Sequence, residues 1–197
     1  MTTARAIAYL ATSVDGFIAG PDDDLGWLTE PRTSGMPLAA DAWAARSAGG
    51  LAFDALLARV GCMLMGRRTY DAVLAMDVPW PYGDLPIRVA TTRPLGDGPT
   101  PLEGQPPSVT PVAGSIDHLV ADALEAAQGK DASIDGGAVV RSALAAGVLD
   151  DLVVTLIPTV LGSGVSLFDA TAPHTDLTVV DVAKYGDGLV QVHYRCR

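Results

Sequence analysis

Cys62-Met63-Leu64-Met65-Gly66-Arg67-Arg68-Thr69-Tyr70-Asp71-Ala72-Val73-Leu74-Ala75-Met76 is the stretch whose reading decides the fold. Cys62 to Met65 is a short apolar run of the kind a strand carries. Gly66 ends it, and Arg67 to Met76 has a helix-forming composition free of proline. The passage therefore reads strand, glycine, helix. It has a counterpart downstream, where Ala132 to Asp135 reads as a short strand, Gly136-Gly137 as a turn and Ala138 to Ala146 as a helix. A helix N-terminus presents unpaired N–H groups and the positive end of a dipole. Glycine lets a phosphate come close to that backbone, although glycines also make tight turns with no ligand in view. In an open α/β sheet both junctions lie at the carboxyl ends of strands, where ligands bind.

Outward from these junctions the alternation continues. Arg5 to Thr12 reads as a buried first strand, followed by a loop over Ser13 to Gly20 and an acidic turn at Pro21-Asp22-Asp23-Asp24. Residues 39–60 are rich in alanine and favour helix, broken at Gly49-Gly50. Ile87 to Thr91 is a strand, and the six prolines between Pro94 and Pro111 mark a surface loop. Ser115 to Gln128 is the clearest helix, with Ile116, Leu119, Val120, Ala123, Leu124 and Ala127 on one face, Ser115 as N-cap and Gly129 at the C′ position. Leu152 to Ile157 fits a strand covered on both faces. Leu177 to Ala183 and the alternating Val190, Val192 and Tyr194 close the chain as an antiparallel hairpin. The expected fold is α/β: a three-layer α/β/α domain over residues 1–197, with a mostly parallel sheet and a C-terminal antiparallel hairpin.

Composition narrows the function. Of 197 residues, 49% are hydrophobic and 18% charged, which is the balance of an ordered globular chain. A net charge of −10 repels nucleic acid and anionic membranes. Yet four of the thirteen basic residues, Arg67, Arg68, Arg88 and Arg93, fall close together, and Thr91-Thr92-Arg93 ends a strand. Hydroxyls beside a guanidinium fork are the chemistry that grips a 2′-phosphate. The three histidines stand apart from any carboxylate or cysteine at ligand spacing, so no metal site is expected. Cys62 and Cys196 form no CxxC pair. No secretory signal and no run long enough to span a bilayer is seen, which makes a cytoplasmic location the expectation. Nucleophile-elbow and P-loop motifs are absent.

The ordered set Ala11-Thr12-Ser13-Val14-Asp15-Gly16-Phe17-Ile18-Ala19-Gly20, Met65-Gly66-Arg67-Arg68-Thr69-Tyr70, Thr91-Thr92-Arg93, Asp135-Gly136-Gly137-Ala138 and Ile157-Pro158-Thr159-Val160-Leu161-Gly162-Ser163-Gly164 resembles the dihydrofolate-reductase-like superfamily. Within it the chain is most similar to the reductase domain of the bifunctional riboflavin-biosynthesis deaminase-reductase. The resemblance implies an NADPH-dependent reductase and a homodimer, for which the Ile157 to Phe168 segment is one candidate surface. It places Ala11 and Ile18 at the nicotinamide end, and Gly66, Arg67, Arg68 and Thr69 at the cofactor phosphates. Thr92 and Arg93 fall near the 2′-phosphate, and Gly136, Gly137, Ala138 and Val139 under the pyrophosphate. On the substrate side it implies Thr155 and Trp27. A carboxylate on the first helix could be Asp41 or Asp54, neither of which the sequence assigns. Asp15 reads equally as an Asp-Gly turn residue or as a substrate contact. The implied substrate is a small conjugated heterocycle accepting hydride at C=N or C=O, of pterin or aminopyrimidine type, such as 5-amino-6-(5-phosphoribosylamino)uracil or dihydrofolate. The zinc-deaminase signature is absent. The alternative reading is a nucleotide- or ligand-binding protein on the same fold without turnover.

Overall fold

The computed structural model describes residues 3–29, 49–76, 80–95, 108–170, 172, 174–185 and 188–197. Eight strands form one sheet: β1 (Ala6–Ser13), β3 (Val60–Gly66), β4 (Ile87–Ala90), β5 (Val109–Val112), β6 (Asp131–Asp135), β7 (Asp151–Ile157), β9 (Thr178–Lys184) and β10 (Val190–Arg195). Their order across the sheet is β5-β4-β3-β6-β1-β7-β10-β9. The first six run parallel, and β10 and β9 are antiparallel additions, which is the expected terminal hairpin. A small ribbon pairs β2 (Phe17–Ala19) with β8 (Val165–Ser166).

Strand alternation sorts the core into layers. Ala6, Ala8, Leu10, Cys62, Leu64, Ala132 and Ile134 pack on one face beneath α4 (Ile116–Ala126) and α5 (Gly137–Ala145). Met63, Met65, Ile87 and Val89 face the other way, against Tyr70 and Leu74 of α3 (Arg67–Ala75). Ile7 and Val153 share that second face with Leu56 of α2 (Phe53–Arg59). The architecture is the three-layer α/β/α sandwich expected from the alternation. Burial pushes the Cys62 thiol up to about 11, as befits a small core residue.

Three readings change. The proline-rich stretch ends in a strand, β5, instead of a loop. Pro111 is tolerated there because β5 is an edge, where a missing N–H breaks no inner ladder. Of the Ala-rich stretch, Phe53–Arg59 is helical, while positions 39–48 lie outside the described residues. At the end of α4 the left-handed backbone begins one residue early, at Gln128 (φ 52°), before Gly129 (φ 86°). Self-association through 157–168 has a mixed surface, since Ile157 and Leu167 are buried and Val160 and Phe168 exposed. More apolar surface lies on β9, where Val179, Val180 and Val182 are exposed. Among the described residues no helix is long and apolar enough to cross a membrane.

Candidate active site

The two strand-glycine-helix junctions end up side by side, because β3 and β6 are neighbours in the sheet. The N-caps of α3 and α5 are Gly66 and Gly136, and neither helix start is capped by a side chain. The first-turn N–H groups of both helices are thus left to a ligand or to water. Gly136 has φ 88°, and a Cβ there would collide with Thr69 Oγ1. Gly137 is constrained less: its Cβ would come 3.0 Å from Ile18 Cδ1 and 3.1 Å from Arg141 Nη1, the ends of side chains that can shift. The glycines hold open a backbone cradle that side chains would fill.

Around the cradle runs a groove of about 680 Å³. Gly66, Arg67, Arg68, Thr69, Gly136, Gly137, Ala138 and Val139 all line it, as do Ala11 and Ile18. Arg67 is 8% exposed. Its Nε donates to Asp71 at 2.7 Å, and its Nη1 donates to Pro94 O at 3.0 Å, tying α3 to the turn after β4. That turn carries Thr92 and Arg93, both exposed and outside the groove lining. The Arg93 N–H donates to Thr91 Oγ1 at 3.0 Å, and among the described residues its guanidinium has no partner. Of the four clustered arginines, Arg67 and Arg68 line the groove and Arg88 and Arg93 do not. Arg88 points to α4, where its Nε donates to Asp122 at 2.8 Å, because its position on β4 faces that helix layer.

At the other end the groove becomes apolar, with Tyr9, Leu10, Ala11, Leu28 and Phe53 in its wall. Here the structure moves several residues that the sequence placed on the substrate side. Thr155 is fully buried, and its Oγ1 accepts from Gln191 Nε2 at 3.1 Å. It belongs to a network in which Gln191 also clasps the backbone of Leu51, and it is not in the groove wall. Asp15 is an inter-loop clamp: its carboxylate accepts the N–H groups of Leu161 at 3.1 Å and Gly162 at 2.7 Å. A hydrogen bond from Ser13 and these two N–H groups hold its carboxyl down to about 2. Both oxygens are engaged, so its role is to join the β1–β2 loop to the 158–164 turn. Asp54 is exposed in the first turn of α2 and lies outside the wall, whereas its neighbour Phe53 lies in it. Asp41 lies outside the described residues. Trp27 packs with Ala11 and Leu28 against Ile157 and Tyr185, and its buried indole N–H has no partner among the described residues.

Three residues of the wall were not singled out from sequence. Asp135 ends β6, and its carboxylate accepts the Gly136 N–H at 2.7 Å. Burial raises its pKa, with that single hydrogen bond opposing. Burial, and then the charge of Asp135, likewise raises the pKa of the nearby Tyr82 hydroxyl. Both groups lie in the groove wall. Arg141 donates to Ser166 O and Leu167 O at 3.0 and 2.9 Å and pairs with Asp169 at 3.0 Å, fastening α5 to β8. A carboxylate closing an apolar strand and a lone charge inside an apolar helix were the available signals for Asp135 and Arg141. Tyr82 sits in a proline-rich stretch that gives none. Among the described residues no group of three or more potential ligands could hold a metal.

Comparison with known proteins bears on the family and the fold. The chain is 28% identical over 191 residues to the protein YwjB of Bacillus subtilis, covering 96% of this chain and 97% of that one. A solved structure from Shewanella sp. PV-4, named for riboflavin biosynthesis, is 31% identical, covers 98% of this chain and 99% of its own, and superposes with a TM-score of 0.75. A dihydrofolate reductase from Enterococcus faecalis, solved with NADP(H), shares the fold at a TM-score of 0.52 and 15% identity, covering 98% and 97% of the two chains. The family model for the RibD C-terminal domain matches residues 5–191, and the chain belongs to that family of reductase domains.

Proposed function

We propose that the protein is an NADPH-dependent reductase acting at a C=N or C=O bond of a small conjugated heterocycle, of pterin or aminopyrimidine type. One observation carries the reading: a single groove joins a glycine-built, arginine-flanked cradle to an apolar pocket floored by β1. The donor set fits a dinucleotide with phosphates. Backbone N–H groups in the uncapped first turns of α3 and α5 would hold the pyrophosphate, with Thr69, Arg67 and Arg68 beside them. Arg93, whose guanidinium has no partner among the described residues, would take the 2′-phosphate.

NADPH, when bound, supplies the hydride. The chain supplies orientation and a dry site. Ala11 and Ile18 keep the groove floor small and apolar, and Tyr9, Leu28 and Phe53 offer flat surface for a ring. Reduction of a C=N bond also consumes a proton. Asp135, whose carboxyl burial pushes above its ordinary range, is the group in the wall that we assign to hold it.

Titration calorimetry tests the cofactor half. The wild type binds NADPH, and Arg67→Ala and Arg93→Ala each weaken binding by about tenfold or more, the scale of one charge-assisted hydrogen bond. Unchanged affinity in both variants removes the assignment. Oxidation of NADPH at 340 nm against pterins and aminopyrimidines tests the reductase half, and binding without turnover on any of them favours a ligand-binding role instead.

A further inference from the structure

The acidic turn that follows β2 is held in a conformation that needs explaining. Asp22 and Asp23 both adopt left-handed backbone, at φ 56° and 62°, which residues with a Cβ avoid. Two consecutive strained residues persist only where the surroundings fix them. Part of the fixing is local. Gly20 N–H donates to Asp24 O, Asp24 N–H donates to Pro21 O, and the Asp24 carboxylate accepts from Gly26 N–H. The rest comes from across the chain. Arg68 Nε donates to both oxygens of Asp23, at 2.6 and 2.8 Å.

This ion pair joins two segments of the groove wall that are 45 residues apart in sequence. Arg68 is the second residue of α3, beside the uncapped helix start at Gly66. Its partner therefore sits where an anion drawn to that helix start would also be drawn. A carboxylate and a phosphate offer a guanidinium the same planar pair of oxygens, and a phosphate offers more charge. The pair is exposed, with side-chain accessibilities of 66% for Arg68 and 36% for Asp23, so solvent weakens it and a better anion can exchange for it. Arg67 shows the contrast. Its guanidinium is buried and anchored through two of its five N–H groups to Asp71 and the Pro94 carbonyl, which fixes its place in the wall and leaves donors over.

We infer that Asp23 is a placeholder for a ligand phosphate: it occupies Arg68 and straps the 20–26 turn across to α3, and a diphosphate-bearing ligand displaces it and releases the turn. The strap rests on the reading of the groove as a dinucleotide site but adds a regulatory element to it. Each binding event must break one ion pair, and the strained turn relaxes as it does so. Asp23 therefore opposes binding, although it lines the same groove as the cationic residues that favour it.

The test uses the whole chain in two arms. In the first, NADPH is titrated into the wild type, Asp23→Asn, Arg68→Ala and the double variant. Asparagine tolerates the left-handed backbone, so the turn is kept while its charge is lost. The strap predicts three- to tenfold tighter binding for Asp23→Asn, weaker binding for Arg68→Ala, and no further effect of Asp23→Asn once Arg68 is gone. In the second arm, hydrogen exchange at residues 20–26 is followed as NADPH or inorganic pyrophosphate is added, and exchange of the Gly20, Asp24 and Gly26 amides rises with either. Equal or weaker NADPH binding by Asp23→Asn, with the turn no less protected when ligand is bound, overturns the strap and leaves the cofactor site standing. Pyrophosphate that opens the turn when NADPH does not bind keeps the strap and removes the cofactor reading. Failure of both ligands to bind or to change exchange overturns both.

Discussion

The two ends of β6 carry the same side chain and treat it oppositely. Asp131, at the amino end, accepts from the Arg5 N–H at 2.9 Å and from Arg59 Nε at 2.7 Å. Asp135, at the carboxyl end, accepts one N–H, that of Gly136. The division extends beyond β6, with the Asp15 clamp after the carboxyl end of β1 as an exception. At the amino edge Asp151 is 2% exposed and receives Arg5, His193 and Arg195. Asp150 beside it accepts from Ala6 N–H and Arg197. At the carboxyl edge the helix starts are uncapped and a buried carboxyl has one partner among the described residues. The amino edge spends its polar groups on stability, and the carboxyl edge keeps them for a ligand. Unsatisfied groups gathered on one side of an otherwise satisfied fold are a physical sign of a working site.

The largest effect is expected where the satisfaction is fullest. Asp151→Ala strands Arg5, His193 and Arg195 around a site that has lost its carboxylate, and should cost about 2–4 kcal/mol in urea unfolding. NADPH affinity of the folded variant should stay within about twofold, since the residue is remote from the groove. Burial by itself would raise the Asp151 pKa, but hydrogen bonds from Arg5, His193 and Arg195, with the charge of Arg5, carry it below the ordinary carboxylate range. A depressed folded pKa contributes stability above the unfolded value near 3.9 and loses it as pH falls through the folded one. The wild type should therefore lose its advantage over Asp151→Ala progressively below about pH 4. A variant as stable as the wild type at pH 7 breaks the comparison at its strongest point.

How much of this division the sequence discloses depends on the range of the interaction involved. The strands β1, β3, β6 and β7 and the helices α3 to α5 follow from hydrophobic period and glycine placement, which are local. The paired junctions at Gly66 and Gly136 were legible for the same reason, and the sheet order then sets them side by side. Strand β5 was hidden because proline argues against a strand unless the strand is known to be an edge. The roles of Asp15 and Thr155 turn on distant partners. Asp15 meets the Leu161-Gly162 backbone, and Thr155 meets Gln191 on the neighbouring strand β10. No spacing rule within one loop or strand contains those partners. Asp135 stood in plain view before Gly136-Gly137, but its distinguishing feature is a missing counter-charge, and that appears only when the neighbours are in place.

A smaller stability change of opposite sign is expected at that residue. Asp135→Asn keeps an oxygen for the Gly136 N–H and removes an acid whose folded pKa burial has raised. A raised carboxyl pKa costs the folded state stability as pH rises from the unfolded value through the folded one. The variant should thus be more stable than the wild type at pH 7, by about 1 kcal/mol, with the gap closing as pH falls toward about 4. Turnover should drop by about 100-fold, because asparagine carries no acidic proton. A variant less stable at pH 7 and fully active would place Asp135 with the structural carboxylates of the amino edge, and the two ends of β6 would no longer differ in kind.

The smallest effect is expected at Arg88, which by sequence alone stands with Arg67, Arg68 and Arg93. In the structure its side chain leaves that group: Nε donates to Asp122 of α4, and a weaker contact reaches Thr110 on the edge strand at 3.4 Å. The pair is partly exposed, at 22% and 36%, so solvent screens most of its worth. Arg88→Ala should cost no more than about 1 kcal/mol in unfolding and leave NADPH affinity within about twofold of the wild type. Arg67→Ala, on the neighbouring strand's helix, should do the reverse. If Arg88→Ala weakens NADPH binding as strongly as Arg67→Ala does, the positive charge of this region acts as a diffuse field that draws in an anion. If Arg67→Ala alone weakens it, what matters is which arginine the fold turns toward the groove.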